Sequence, residues 1–426
     1  MRILLIHAWN ARERSYRGFF SSMIAYRSMT LASLVALIPE DMNATVDICD
    51  EMSQKVNYDQ RKYDLVGISF DTSSSLRAYE HAEAFRKRGA YIVCGGYHTS
   101  NLPDEVALHA DTIVIGAAES SFPQFLRDFK KGTPQKRYCQ EYDAADIPIP
   151  ARAAISKKKY VKFPTVIADR GCINRCKFCS IAKMWRSNPR PVQSVIDEII
   201  SLKSKSLIFY DPNFFAPKAY AMELMNELTK LKIKWVTNAT AEVAYDDELL
   251  ALAKKSGCKG VLIGLESISE ESLKGVGKQF SKVEQYKEVI ERFHAYNIAV
   301  NGCFVLGFDG DTEASLLSIP EKVRYLKLDL TRFAILTPTP GSQLYKEMDD
   351  AGRIITKDWS RYSQHCAVFS PKHMSPERLE EIYQETWKKT YSFKNIGYRF
   401  FHSSNKDLQV RLVLLTTNLG FKFLNI

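Results

Sequence analysis

The sequence predicts an α/β chain: an N-terminal doubly wound parallel sheet, an incomplete barrel of six β/α units, and a mainly helical C-terminal region. Two observations carry this. Over 1–145, five apolar strand-like runs alternate with stretches of helical spacing. Over 146–345, a strand-then-helix unit recurs six times.

The first five runs are RILLIHA (2–8), TVDICD (45–50), DLVGISF (64–70), YIVCGG (91–96) and TIVIGA (112–117). Helical stretches such as SLRAYEHAEAFRKRG lie between them, so consecutive strands need crossovers and run parallel. Such sheets bind ligands beyond the carboxyl ends of their strands. Those ends carry DTSSS (71–75), GGYHTS (95–100) and GAAES (116–120), small residues that let a large flat ligand approach the backbone. The Pro-rich, charged stretch 143–160 marks a junction.

The barrel strands read as PTVIADR, SLIFYD, KWVTNAT, GVLIGLE, AVNGCFVLGF and TRFAILTPTPG. In the helix after the first of them, Val192, Val195, Ile196 and Ile199 form one apolar face. The region 346–426 holds a helix with Ser375 as N-cap and Pro376 at its first position. Its tail, LQVRLVLLTTNLGFKFLNI, is expected to pack within the protein, a greasy partner being the alternative.

At 426 residues, 45% apolar and 25% charged, the chain suits a globular protein of two or three domains. Its start reads as a strand rather than a cleavable leader, and the longest apolar run, 29–38, is too short to span a bilayer. A cytoplasmic protein is therefore expected. The net charge of +10 is spread over short clusters, RKR (86–88) and KKK (157–159). These read as a solvated face, with an anionic substrate or a membrane surface as alternatives. No platform of interleaved aromatics for nucleic acid is evident. The nine cysteines are not expected to form disulfides in the cytoplasm. Cys49, Cys94, Cys258 and Cys303 read as small buried hydrophobes.

The exception is RGCINRCKFCS (170–180), where Cys172, Cys176 and Cys179 share the loop after the first barrel strand. Thiolates at this spacing hold an iron–sulfur cluster or zinc. Zinc wants a fourth ligand, and Cys258, His365, Cys366 and His373 are distant in sequence. Three readings stay open on spacing alone: a three-ligand cluster, a zinc site, or chance.

C-x3-C-x2-C with Phe178 before the last Cys, after the first strand of a β/α barrel, resembles the radical S-adenosylmethionine (SAM) superfamily. YDPNFF, KSGCKGVLIGLES, FVLGFDGDT, LTPTPGSQLY and GRIITKDWSRY extend the resemblance to the branch with an N-terminal cobalamin (B12)-binding domain, which includes hopanoid methylases and the anaerobic magnesium-protoporphyrin cyclase. The resemblance implies a Rossmann- or flavodoxin-like cobalamin domain (1–145), a partial TIM barrel as radical SAM core (146–345) and a helical C-terminal domain (346–426). It implies three cofactors: a [4Fe-4S] cluster held by Cys172, Cys176 and Cys179, SAM bound at the open iron, and cobalamin.

The family's Gly-Gly-Glu after the second barrel strand is replaced by YDPN, which makes Asp211 and Asn213 candidates for SAM contacts. Glu266 is a candidate for the ribose or amino group. FVLGFD and LTPTPG would line the adenine. Cobalamin candidates are Ser69, Thr72 and Ser73; Gly95, Gly96 and His98; and Gly116 and Glu119. Asp-x-His-x-x-Gly, whose His ligates cobalt in many B12 modules, is absent from HAWNARERSYRG (7–18), so no lower His ligand is expected from that loop.

The implied activity is C-methylation of an unactivated carbon through a 5′-deoxyadenosyl radical and methylcobalamin. Alternatives are a cyclisation, ring contraction or oxidation without methyl transfer, and a non-catalytic zinc-stabilised binding protein. No catalytic side chain is assigned. The expected partners are a small-molecule substrate, lipid or isoprenoid in character, and an electron donor such as flavodoxin or ferredoxin. Nucleic acid is not expected, and peripheral contact with a membrane stays an alternative to a solvated basic face.

Overall fold

The computed structural model describes residues 1–10, 29–155 and 163–423. They form two compact units, one of 1–10, 29–155 and Lys357–Ser363, the other of 163–356 and 364–423.

The first unit is a parallel sheet of β1 (Arg2–His7), β2 (Thr45–Asp50), β3 (Leu65–Ser69), β4 (Tyr91–Gly95), β5 (Thr112–Val114) and β6 (Arg137–Tyr138), in the order β2-β1-β3-β4-β5-β6. Both faces are covered, as parallel sheets require. Leu4, Ile6, Val66, Ile68, Ile92 and Cys94 face a core shared with Ala78, Ala82 and Phe85 of the helix Ser75–Arg86. Ile3, Leu5, Leu65, Val93 and Val114 face Leu31, Phe122, Phe125 and Leu126 on the opposite side. The chain leaves β1 toward β2 on one side and returns to β3 on the other, so β1 and β3 flank the switch point where such sheets open a crevice.

A buried polar cluster closes the end of β2. Glu51 accepts hydrogen bonds from Arg77 (2.9 and 3.1 Å) and lies 2.8 Å from His81 Nε2. Burial disfavours its charge, but the His81 and Arg77 hydrogen bonds win and hold the Glu51 carboxyl down at about 2.

Lys357–Ser363 belongs to this unit although it lies far along the chain. Trp359 Nε1 donates to Glu105 (3.0 Å), its ring meets His98 edge-on, and Asn10 Nδ2 donates to the Ser360 carbonyl (2.7 Å).

The second unit is an open arc of six parallel strands in sequential order: β7 (Thr165–Val166), β8 (Ser206–Phe209), β9 (Lys234–Ala239), β10 (Cys258–Glu266), β11 (Ala299–Leu306) and β12 (Leu330–Ile335). This is the incomplete barrel. Alternate residues such as Phe209, Trp235, Ile263, Phe304 and Phe333 are sealed in its core. Between them Ile208, Val236, Asn238, Leu262, Asn301, Cys303 and Arg332 are only half-buried, and they line the other face. Cys49, Cys94 and Cys258 are buried as expected; Cys303 is not fully sealed, because its strand position points it to the half-open face.

Residues 364–423 group with the barrel strands in one compact unit. Helix Pro376–Thr390 sends Leu379, Ile382, Tyr383 and Trp387 into the barrel core, since its apolar stripe has no other core to join. Ser375 caps it by accepting from Arg378 N (3.1 Å), and Pro376 opens it. The exposed edge of β12 is covered as well. The Tyr391 hydroxyl donates to the Thr331 carbonyl (2.5 Å) and accepts from Thr331 N (3.0 Å), and Ile335 N donates to Gln364 O (2.8 Å). The tail helix Leu408–Phe423 packs through Asn418, Gly420 and Phe421 but leaves Leu408, Leu412, Val413 and Phe423 exposed. No helix among the described residues is long and apolar enough to cross a membrane.

Candidate functional site

The cysteine loop is built on two buried acids. Asp211, just after β8, accepts from Ala168 N (3.0 Å) and from Asp169 N through one oxygen. Asp169 accepts from Gly171 N (2.7 Å), Asn188 N (3.2 Å) and the Ser187 hydroxyl (2.5 Å). The strand β7 is therefore only two residues long: beyond it, side chains rather than a ladder fix the backbone. Gly171 is required, because a Cβ there would lie inside the backbone of Arg186 and Ser187. Below, Arg190 and Glu198 form a buried pair at 2.5 Å, and Arg190 also donates to Ile167 O (3.0 Å).

The far side of the loop is held by two backbone bonds, Lys177 N to Val276 O (3.0 Å) and Leu344 N to Lys177 O (2.9 Å). Phe178 packs on Phe308, with ring centroids 5.9 Å apart. Cys179 N donates to Cys176 O (3.1 Å), and Asn174 N points at Cys172 Sγ (3.4 Å). The three half-buried thiols are free. Burial pushes the Cys172 thiol up and Cys176 to about 11; the neighbouring thiols add to this and Lys278 opposes it. Among the described residues no group of His, Cys, Asp or Glu is arranged around a single metal ion. The donor set nevertheless fits an iron–sulfur cluster: three soft thiols on one clamped loop, with the Lys278 ammonium favouring the ionised form of Cys172 and Cys176.

Glu266 ends β10 with φ 65°, a left-handed conformation strained for a side chain with a Cβ. Its carboxylate meets Lys278 Nζ at 2.5 Å in a buried pair. Burial opposes the Lys278 charge, yet Glu266 outweighs it and raises the Lys278 pKa. The pair lies against Gly264, where a Cβ would come 2.6 Å from Lys278 Nζ. Asp311 accepts from Gly307 N (2.9 Å), Phe308 N (3.0 Å), Ser272 Oγ (2.9 Å) and Ser267 Oγ (3.2 Å), so FVLGFDGDT forms a rigid turn.

Asp211 and Asn213 are buried, at 1% and 5% exposure. Asp211 faces the backbone under the cysteine loop, and burial raises its carboxyl to about 7.

In the first unit, Asp71 takes the Ser73 hydroxyl (2.9 Å) and Ser74 N (3.1 Å), and Thr72 bonds His98 Nδ1 (3.3 Å). His98 is fully buried. Its Nε2 lies 3.1 Å from Tyr79 OH and 3.3 Å from Glu105, and burial lowers its pKa, keeping the ring neutral. Both ring nitrogens are therefore engaged in the core, which leaves neither for a metal. Ser69, at the end of β3, is buried, and Glu119 is buried in the first turn of its helix. Gly95 ends β4. Gly96 (φ 106°) passes so close that a Cβ would lie 2.5 Å from Phe70 O. Gly116 (φ 77°) has no atom within 4 Å of a Cβ position. Ser100 joins the two glycine turns, donating to Gly96 O (2.9 Å) and accepting from Gly116 N (2.9 Å). The open backbone at Gly116 suits a large flat group such as a corrin. Of HAWNARERSYRG, residues 11–18 lie outside the described residues.

Asp169, Lys278, Asp311 and Ser100 were not identifiable from local sequence. Their partners are loop backbones and side chains brought in by the fold; the Gly-rich turns beside Asp311 and Ser100 were the available signal.

Residues 166–323 match the radical SAM superfamily model. The chain is 28% identical over 348 residues to a bacteriochlorophyllide d C-12(1)-methyltransferase of Chlorobaculum tepidum, covering 77% of this chain and 75% of that protein. It is 28% identical over 422 residues to the C-8(2)-methyltransferase of the same organism, covering 92% and 91%. The solved structure of OxsB, a cobalamin-dependent SAM radical enzyme with aqua-cobalamin and SAM bound, shares the fold at TM-score 0.64 and 16% identity, over 96% of this chain and 74% of that one. With the three-cysteine loop after the first strand of an open six-stranded arc, residues 166–323 are a radical SAM domain.

Proposed function

We propose that this chain is a cobalamin-dependent radical SAM C-methyltransferase acting on an unactivated carbon of a small apolar molecule. The observation that carries the reading is the clamped loop bearing Cys172, Cys176 and Cys179, held from below by Asp169 and Asp211 and from the side by Val276 and Leu344. When bound, the cluster, SAM and cobalamin supply a 5′-deoxyadenosyl radical and a transferable methyl group.

The chain's own residues position these groups. The three thiols hold the cluster, and three protein ligands leave one iron for SAM. Glu266, its carboxylate oriented by Lys278, is the group to meet the ribose or amino end of SAM. Asp211 supports the loop from beneath, and Asn213 lies in the same buried turn. Ser69, Gly95, Gly96, Gly116 and Glu119 form the cobalamin edge of the first sheet; Thr72, Ser73 and His98 support it from within. Fixed placement of separate reactants is the main contribution a protein makes to such chemistry.

All nine cysteines are free, which suits the reducing cytoplasm and an electron donor of the flavodoxin or ferredoxin kind. The substrate is a lipid, an isoprenoid or, by analogy with the bacteriochlorophyllide relatives, a tetrapyrrole.

The test is anaerobic reconstitution with iron and sulfide, then incubation with SAM, cobalamin and a reductant against lipid and tetrapyrrole extracts. A product heavier by one CH2 supports the proposal. Loss of hydrogens without that gain points to cyclisation or oxidation. Absence of both iron–sulfide absorption and 5′-deoxyadenosine overturns the enzyme reading; their persistence when Cys172, Cys176 and Cys179 are replaced by Ala overturns the assignment of the cluster to these three thiols.

A further inference from the structure

We infer that the C-terminal helical pair, Phe393–Phe401 and Leu408–Phe423, docks the protein on an anionic membrane surface. This is independent of the chemistry proposed above.

The tail helix buries one side and exposes another. Its exposed positions Leu408, Gln409, Leu412, Val413, Thr416 and Phe423 recur at helical spacing and so share a face, and none of them is charged. Leu408 is 61% exposed, Leu412 and Val413 48% each, and Phe423 50%. The preceding helix adds Phe393 (64%) and Phe401 (77%), two turns apart on its outer side. The two faces meet where Phe393 and Phe423 pack ring to ring, centroids 6.4 Å apart. Large apolar side chains left exposed side by side in this way mark an interaction surface.

Its charge identifies what covers it. From residue 388 to 423 the segment holds seven Lys or Arg and a single acid, Asp407. That acid is engaged by Lys234 (3.4 Å) and Lys259 (3.8 Å). Lys388, Lys394 and Lys406 are exposed and have no carboxylate partner among the described residues. Lys422 stands 4.2 Å above the Phe393 ring, at the rim of the patch. Aromatic and aliphatic side chains facing outward with lysines around them match the interfacial layer of an anionic bilayer, where the apolar face enters the acyl boundary and the ammonium groups meet phosphates. A second copy of the chain fits poorly, since a two-fold contact would set one basic rim against another. The helices are too short and polar to insert across the bilayer, so the contact is peripheral.

The test is co-sedimentation of the full chain with vesicles of phosphatidylcholine alone and of phosphatidylcholine with phosphatidylglycerol. Binding to the mixed vesicles only, weakened by added salt, is expected. Leu412→Glu with Val413→Glu should weaken it at least about tenfold, with circular dichroism and melting temperature unchanged. If that variant is unfolded, Lys394→Glu with Lys406→Glu and Lys422→Glu, all on the surface, should give the same loss. Equal binding to neutral vesicles, no binding to either, or a dimer that both variants convert to monomer overturns the inference.

Discussion

Replacing Asp211 by Asn should make the barrel unit more stable at neutral pH and remove part of its pH dependence. Asp211 is fully buried and accepts two backbone N–H groups through one oxygen, Oδ1, while Oδ2 has no hydrogen-bond partner. Burial is the main cause that raises its carboxyl from 3.8 to about 7. At about 1.4 kcal/mol per pH unit, the ionised side chain costs the fold about 4 kcal/mol at most. The sign follows from proton counting. Below about pH 4 the carboxyl is protonated in both folded and unfolded chains, and the cost is absent. Between about 4 and 7 the folded chain holds the proton more tightly, so stability falls as pH rises, and above 7 the cost is constant. Asn keeps the acceptor for Ala168 N and Asp169 N. Its amide N–H2 lands where Oδ2 has no partner, which costs about 1–3 kcal/mol. The net expectation at pH 8 is a gain of about 1–3 kcal/mol; near pH 4.5 the variant should be equal or worse. Urea unfolding of the metal-free chain from pH 4.5 to 8, with amide exchange at Ala168 and Asp169 as a local readout, measures this. A difference between variant and parent that stays constant with pH would refute the buried-acid account.

Gly171→Ala forces the cysteine loop off the 186–187 backbone and should cost about 3 kcal/mol or more, read as a lower melting temperature and less iron retained per chain after reconstitution. Arg190→Met strands a buried Glu198 carboxylate and should cost about 3–5 kcal/mol; the double variant with Glu198→Leu should recover most of it, and no recovery would mean the pair is not coupled. Glu51→Gln should lose about 3 kcal/mol at pH 7. Because folding lowers the Glu51 pKa from 4.5 to about 2, that stability is present above about pH 4.5 and fades as pH falls toward 2, so acid titration of the parent should converge on the variant.

The strands of both units were legible because Val, Ile and Leu runs bounded by Gly, Pro and Asp leave little alternative to a buried parallel strand. The ends were less so. TIVIGA was read to 117, but β5 stops at Val114, and Gly116 turns the chain with a positive φ. PTVIADR shrinks to Thr165–Val166 because Asp169 and Asp211 replace ladder bonds with side-chain bonds. Cys172, Cys176 and Cys179 were readable because their spacing is local. Lys278, the partner of Glu266, was not: nothing in GVGKQFS marks a lysine that folds back twelve residues into a buried pair. His98 was a cobalamin candidate from its place after the fourth strand, and only the fold shows it enclosed by Thr72, Tyr79, Glu105 and Trp359. The helices after 375 had a readable cap and stripe, but the core they join is recognisable only once β12 needs its edge covered.

The return of Lys357–Ser363 to the first sheet makes that unit whole in space but split in the gene. A fragment ending before residue 357 has every strand of the sheet, yet it lacks the indole that meets Glu105 and His98 and the carbonyl that takes the Asn10 amide. Swapping this unit between related chains therefore means exchanging two distant stretches together. A crossover placed at the Pro-rich junction alone would leave each hybrid with a foreign residue over its own histidine.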